Sequence, residues 1–245
     1  MNRTQILLAL VILSFIGMSS VFLDLHSLVS GSEVEEISKR KVRDGEIKQY
    51  TKDKRLKTIV NYNKGIKHGV SYLYHDDGET VLLSMPYNNG KREGTSKKYY
   101  KSGVLYASTS YHDDLLHGKR EIYYSSGQIK AIINYGFAKP GVGTVEYLTD
   151  GTLKQANSIE ITEIGNNYFL STSQECRNLK FYIGKLIEDQ FFDAVHPDIK
   201  LLPKENGSYF VDLSVYTPSF LKYQDVVCHC ESSQGNPIIM KKKLF

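Results

Sequence analysis

Tyr62-Asn-Lys-Gly65-Ile-Lys-His-Gly69 returns as Tyr87-Asn-Asn-Gly90-Lys-Arg-Glu-Gly94 and again as Tyr111-His-Asp-Asp-Leu-Leu-His-Gly118, and Tyr135 opens a degenerate fourth copy. The anchoring tyrosines stand 25, 24 and 24 residues apart. A fixed period of this length means one supersecondary unit stacked on its neighbours, which gives a long surface in place of a deep cleft.

Counting back by twos from each closing tyrosine gives four rows. Leu56, Val81, Leu105 and Ile129 stand six residues before it, and Thr58, Leu83, Ala107 and Ala131 four before. Val60, Met85, Thr109 and Ile133 stand two before. The positions between are mostly polar or small, among them Lys57, Asn61, Ser84, Ser108, Ser110, Lys130 and Asn134. Alternation of period two, repeated in register, marks strands with one buried face.

A second, shorter strand in each unit ends in tyrosine: Tyr72-Leu-Tyr74, Tyr99-Tyr100, Tyr123-Tyr124 and Glu146-Tyr147. Polar turns closed by Gly78, Gly103, Gly127 and Gly151 follow, as short hairpins demand. A half-degenerate unit from Tyr50 to Tyr62 uses Asp53 where the others use glycine. The reading is about five hairpins in an antiparallel meander over residues 45–155. Rings of Tyr74, Tyr99, Tyr100, Tyr123 and Tyr124 form the candidate binding face, with cross-strand packing within the sheet as the competing role.

These residues resemble the variant MORN repeat: a Tyr-x-x-Gly-x-x-x-Gly unit, an aromatic pair, then a glycine-led apolar strand. Two departures stand out. Asp114 replaces the first turn glycine of the third unit, and the Tyr135 unit reads Gly-Phe-Ala-Lys-Pro-Gly141. The resemblance implies a scaffolding or binding role toward proteins or membranes. Bacterial proteins with this variant are often catalogued as antitoxin-like, which implies an immunity-like alternative.

From residue 156 to 245 the repeat is gone. Glu160–Ile164, Tyr168–Thr172, Lys180–Gly184, Tyr209–Tyr216 and Tyr223–Cys230 read as strands separated by turn signals, the pattern of a small β-sandwich-like domain. Gly184–Asp198 is open between loop and short helix, and Lys241-Lys-Lys243 reads as a solvated tail. The fold class is therefore all-β: hairpin repeats, a C-terminal β-domain and an N-terminal hydrophobic helix.

That helix comes from an apolar run, Ile6 to Met18, behind Arg3, with Gly17 and Ser19 as small residues for cleavage. Residues 1–31 read as a signal peptide or an uncleaved anchor, and 32–44 as a linker. Glu33, Glu35 and Glu36 precede the basic Lys39–Arg43 stretch, an order that favours export of the remainder. The expected location is outside the cytoplasm, with membrane contact only through an uncleaved anchor.

A net charge of +4 over 245 residues, with no concentrated basic segment, argues against nucleic acid. Eighteen tyrosines and no tryptophan suit a half-wet sheet. No Gly-x-Ser-x-Gly, phosphate-loop or zinc-helix signature occurs, so neither catalysis nor a cofactor is expected. His68, Glu93 and His117 occupy equivalent turn positions, and the two histidines are roughly 20 Å apart at two strands per unit, too far to share an ion. Asp76-Asp77 and Asp113-Asp114 read as turn residues that bond backbone. Cys176, Cys228 and Cys230 are the remaining cluster: a disulfide from Cys176 to either partner, structural thiols, or a thiol or metal site. The expected partner is a protein or a component of the cell envelope.

Overall fold

The computed structural model describes residues 43–216, 218–221 and 224–244. The expected signal or anchor at 1–31, and all but the end of the linker, lie outside the described residues.

β1 (Gly45–Tyr50), β2 (Leu56–Asn63), the two-residue β3 (Ile66–Lys67), β4 (Gly69–Tyr74) and β5 (Val81–Asn88) open one sheet. It continues through β6 (Lys91–Arg92), β7 (Gly94–Tyr99), β8 (Leu105–His112), β9 (Leu115–Tyr123), β10 (Ile129–Gly136), β11 (Lys139–Pro140) and β12 (Val145–Glu146). The order β1-β2-β4-β5-β7-β8-β9-β10 is the meander expected from hairpins in series.

Strand pairing sets the sequence rows side by side. A glycine stands opposite each anchoring tyrosine: Gly45 with Tyr62, Gly69 with Tyr87, Gly94 with Tyr111, and Gly118 with Tyr135. On the same face Ser71 pairs Met85, Ser96 pairs Thr109, and Arg120 joins Thr109 to Ile133. Ser71, Ser96, Ala107, Thr109, Ile122, Ala131 and Ile133 are buried there, so the inner face falls where the alternation puts it.

Two kinds of turn join the units. At one end both central residues are left-handed: Lys64-Gly65 (φ 49, 84), Asn89-Gly90 (47, 87), Asp113-Asp114 (48, 68) and Phe137-Ala138 (51, 63). That is the type I′ conformation whose twist matches the strands. The later units keep the conformation and give up the glycine. The second central amide of each turn donates to the unit before it, Gly65 to Arg43, Gly90 to Lys67, Asp114 to Arg92 and Ala138 to Leu116, at 2.8–3.1 Å. At the other end Gly78, Gly103, Gly127 and Gly151 donate to His75, Tyr100, Tyr124 and Leu148. In the first unit Lys54 (φ 61), donating to Thr51, holds the glycine position. The expectation that Asp53 holds it is off by one residue; Asp53 pairs with Arg55 at 3.0 Å.

The remainder comprises β13 (Ile159–Ile164), β14 (Asn167–Thr172), β15 (Arg177–Gly184), β16 (Ile199–Leu201), β17 (Lys204–Glu205), β18 (Ser208–Asp212), the single-turn helix α1 (Pro218–Leu221), β19 (Asp225–Glu231) and β20 (Pro237–Lys243). They form two four-stranded sheets, β13-β14-β18-β17 and β16-β15-β19-β20. Ile159, Leu170 and Val211 of the first meet Phe181, Ile183, Val226, Cys228 and Cys230 of the second in one core. The second sheet is covered on its other face too, where Tyr182, Val227 and Ile239 pack with Leu186 and Phe192 and with Val142. Two covered faces explain why β15 and β19 read as unbroken apolar runs.

Gly184–Asp198 is a series of tight turns closed by Ile187–Phe191 backbone bonds, with no helix. The solvated-tail reading of Lys241–Lys243 is corrected: these residues close β20, paired with β19. Lys241 meets Asp189 at 2.7 Å, and Lys243 meets buried Asp225 at 2.8 Å. The end of the repeat sheet is docked on this unit. The Phe191 ring lies so close to Gly136 and Gly141 that a Cβ there would sit 2.6 and 2.9 Å from it. Val142 forms a parallel bridge to Ile239, and the Thr144 hydroxyl donates to the Pro237 carbonyl at 2.8 Å.

Candidate binding surfaces

The five tyrosines of the candidate face, Tyr74, Tyr99, Tyr100, Tyr123 and Tyr124, are all half-buried. Two of their hydroxyls reach the next hairpin: Tyr100 donates to the Tyr123 carbonyl and Tyr124 to the Tyr147 carbonyl, both at 2.8 Å. The His75 ring sits 3.2 Å from the Tyr99 carbonyl by Nε2. His75 thus stands where the later units have Tyr100 and Tyr124, and the true counterpart of their doublets is Tyr74-His75 rather than Tyr72-Leu-Tyr74. These rings join one hairpin to the next. Tyr123 is tied within its own strand, donating to Glu121 at 2.8 Å.

A ladder of cations and rings runs along the type I′ end. The Arg43 guanidinium lies 5.6 Å from the Tyr62 ring centre, Lys67 Nζ 4.8 Å from Tyr87, and the Arg92 guanidinium 4.6 Å from Tyr111. In each pair the ring's negative face attracts the cation. Arg92 is fixed further by Asp114, whose carboxyl accepts its Nε at 3.1 Å and its amide at 2.9 Å. That is the use of the aspartate at the lost glycine position. The bonds from the Arg92 amide and side chain hold the Asp114 carboxyl below its ordinary range. The ladder escaped the sequence reading, although its signal was present: a basic residue two before the second glycine of each unit, at 43, 67 and 92, then Leu116.

The opposite face carries a groove of about 560 Å³ across the second and third hairpins. Val70 pairs with Pro86, and Tyr72 with Ser84, which pairs with Lys97; all line it, with Thr80, Thr95 and Tyr99. Val70 is 38 % exposed, and Lys97 is exposed and free of ion pairs among the described residues. An apolar floor with one cation at its side suits a chain segment that combines an apolar and an acidic side chain.

Cys176 and Cys230 are joined as a disulfide with Cα atoms 5.6 Å apart, and Cys228 is free. Burial pushes the Cys228 thiol up to about 12, so at neutral pH it is neither a nucleophile nor a ready metal ligand. Among the described residues no group of three or more His, Cys, Asp or Glu side chains is arranged to hold a metal ion. His117 packs against His112 and Phe137, and Glu93 holds His112 at 3.0 Å. The Asp77 carboxyl accepts the Glu79 and Thr80 amides at 2.9 Å, which lower it to about 2. It is a turn clasp, as the sequence implies.

A buried carboxylate, Glu146, holds the repeat sheet to the C-terminal sheets. Ser232 and Asn236 donate to one oxygen and Lys154 Nζ, at 2.9 Å, to the other. Desolvation pushes this carboxyl up, and the three donors together outweigh it, leaving it below its usual range. A cavity of about 330 Å³ beside it is lined by Thr144, Leu153, Lys154, Asn157 and Met240. Among the described residues no helix is long and apolar enough to cross a membrane.

Residues 92–113 and 116–136 match the MORN repeat variant, and in the structure they are consecutive units of the one meander. Repeats of this kind generally bind proteins or membranes and are generally non-enzymatic. No curated protein matches the chain significantly.

Proposed function

On this scaffold of variant MORN repeats, we propose that the chain is an exported, non-enzymatic binding protein whose repeat sheet takes an extended segment of a protein or cell-envelope partner. The groove of Val70, Tyr72, Pro86 and Lys97 carries the reading, because apolar side chains and an exposed cation share one concavity there. The Cys176–Cys230 link supports an oxidising compartment, where such bonds persist. The test is capture from envelope fractions with a photo-crosslinker at Thr95, comparing the native sequence with Val70→Asp and Lys97→Glu. The expected outcome is a crosslinked species that both substitutions remove while the thermal midpoint stays put. A crosslinking pattern unchanged by both would overturn the groove as the site.

A further inference from the structure

Among the described residues the repeat sheet is capped at one end. Its last strands are covered by Phe191, Ile239 and the Glu146 cluster. At the other end β1 pairs with β2 on one side and with no described strand on the other. Such an edge presents a row of unpaired amides and carbonyls to any extended chain. The edge sequence, Gly45-Glu-Ile-Lys-Gln-Tyr50, carries one charge of each sign on either side of Ile47.

We propose that β1 pairs with β1 of a second copy, antiparallel about a two-fold axis through Ile47. An axis on any residue keeps each side chain on its own face of a continued sheet, and those at Ile47 and Lys48 overlap the six-residue strand most fully. An axis at Glu46 sets that carboxylate against its own copy, and one at Lys48 sets two ammonium groups together. Like charges directly opposed are unfavourable. An axis at Ile47 places Glu46 opposite Lys48 of the second copy and Lys48 opposite its Glu46, and lets the two isoleucines meet on the inner face. Glu46 and Lys48 are both exposed, and in the single chain they face each other along the strand at 3.2 Å. Charge complementarity therefore selects both the partner, a second copy of the same strand, and the register. The groove takes no part, so the two readings stand or fall separately.

The test is a charge exchange on the full chain, read by sedimentation equilibrium with thermal midpoints as the folding control. The native sequence is expected to dimerise. Glu46→Lys and Lys48→Glu each place two like-charge pairs in the interface, and each should weaken dimerisation at least about tenfold. The double exchange E46K/K48E restores opposite signs and should return the dimer to near its native strength. Both positions are exposed edge sites, so all three variants should melt with the native protein. A native chain that stays monomeric at high micromolar concentration overturns the proposal. So does a dimer indifferent to the single exchanges, or one that the double exchange fails to restore.

Discussion

The Tyr100 hydroxyl reaches past its own hairpin to the Tyr123 carbonyl at 2.8 Å, and Tyr124 does the same to Tyr147. Each bond satisfies a carbonyl at a strand end and fixes the spacing of successive units. Tyr100→Phe keeps the ring and its edge contact with Tyr106 but leaves that carbonyl short of a donor. The expected cost is about 1 kcal/mol, a fall of roughly 2–4 °C in the thermal midpoint. Tyr99→Phe, whose hydroxyl bonds no described residue, should melt with the native protein. Equal losses for the two would show that the bond carries no weight.

Ile133 is 1 % exposed on the inner face, whereas Asn134 points the other way and pairs with Lys119. Ile133→Asp places an unpaired charge among Ile122 and Ala131 and should cost several kcal/mol. Asn134→Asp meets a cation across the strand and should stay within about 0.5 kcal/mol. Matching midpoints would mean the inner face has been assigned backwards.

Ala138 holds φ 63 at a position where Gly65 and Gly90 hold φ 84 and 87. Left-handed backbone costs a residue with a Cβ roughly 1–2 kcal/mol, and glycine's extra freedom in the unfolded chain returns part of that. Ala138→Gly should therefore gain about 0.5 kcal/mol. Gly90→Ala should lose stability, since its Cβ would also crowd Ile66 at 3.3 Å. Denaturant midpoints that move the opposite way would contradict the turn assignment.

Cys228 supplies a pH dependence with a definite sign. Its folded pKa, raised by burial to about 12, exceeds the unfolded value near 9. The native state then holds a proton that the unfolded chain releases, so this contribution is complete below pH 9 and declines between 9 and about 12. The native protein should lose up to about 1.4 kcal/mol per pH unit more than Cys228→Ala across that window. A thiol reagent at neutral pH should find no group in the native oxidised protein and one after unfolding. A reactive native thiol, or parallel pH curves for the two proteins, would refute the buried-thiol assignment.

The meander was legible because its information is local and repeated: row, turn and tyrosine each recur, and one good unit corrects a poor one. The errors fell where a unit substitutes a different side chain for the same job. His75 replaces a ring hydroxyl donor, and Lys54 takes a left-handed position without being glycine. The cation ladder was hidden by its alternation of lysine and arginine and by Leu116 in the next unit. In the C-terminal sheets five of the eight described strands were visible and their partners were not. β14 pairs with β18 across some forty residues of chain, and nothing in either strand's own composition names the other. β20 was missed because three successive lysines look like a tail, while in the structure they reach Asp189, the Ile159 carbonyl and Asp225.

The docking of the last repeat strands has a metric consequence. Each hairpin gives the same amide bond back to the unit before it at its type I′ turn, so every unit is interchangeable with its neighbour in what it asks of the one before. The array is a ruler graduated in hairpins. Inserting or excising one unit would shift β1 away from or toward the docked end by two strand widths, about 10 Å, leaving the fittings at both ends unaltered. Reach, in such a chain, is set by counting tyrosines.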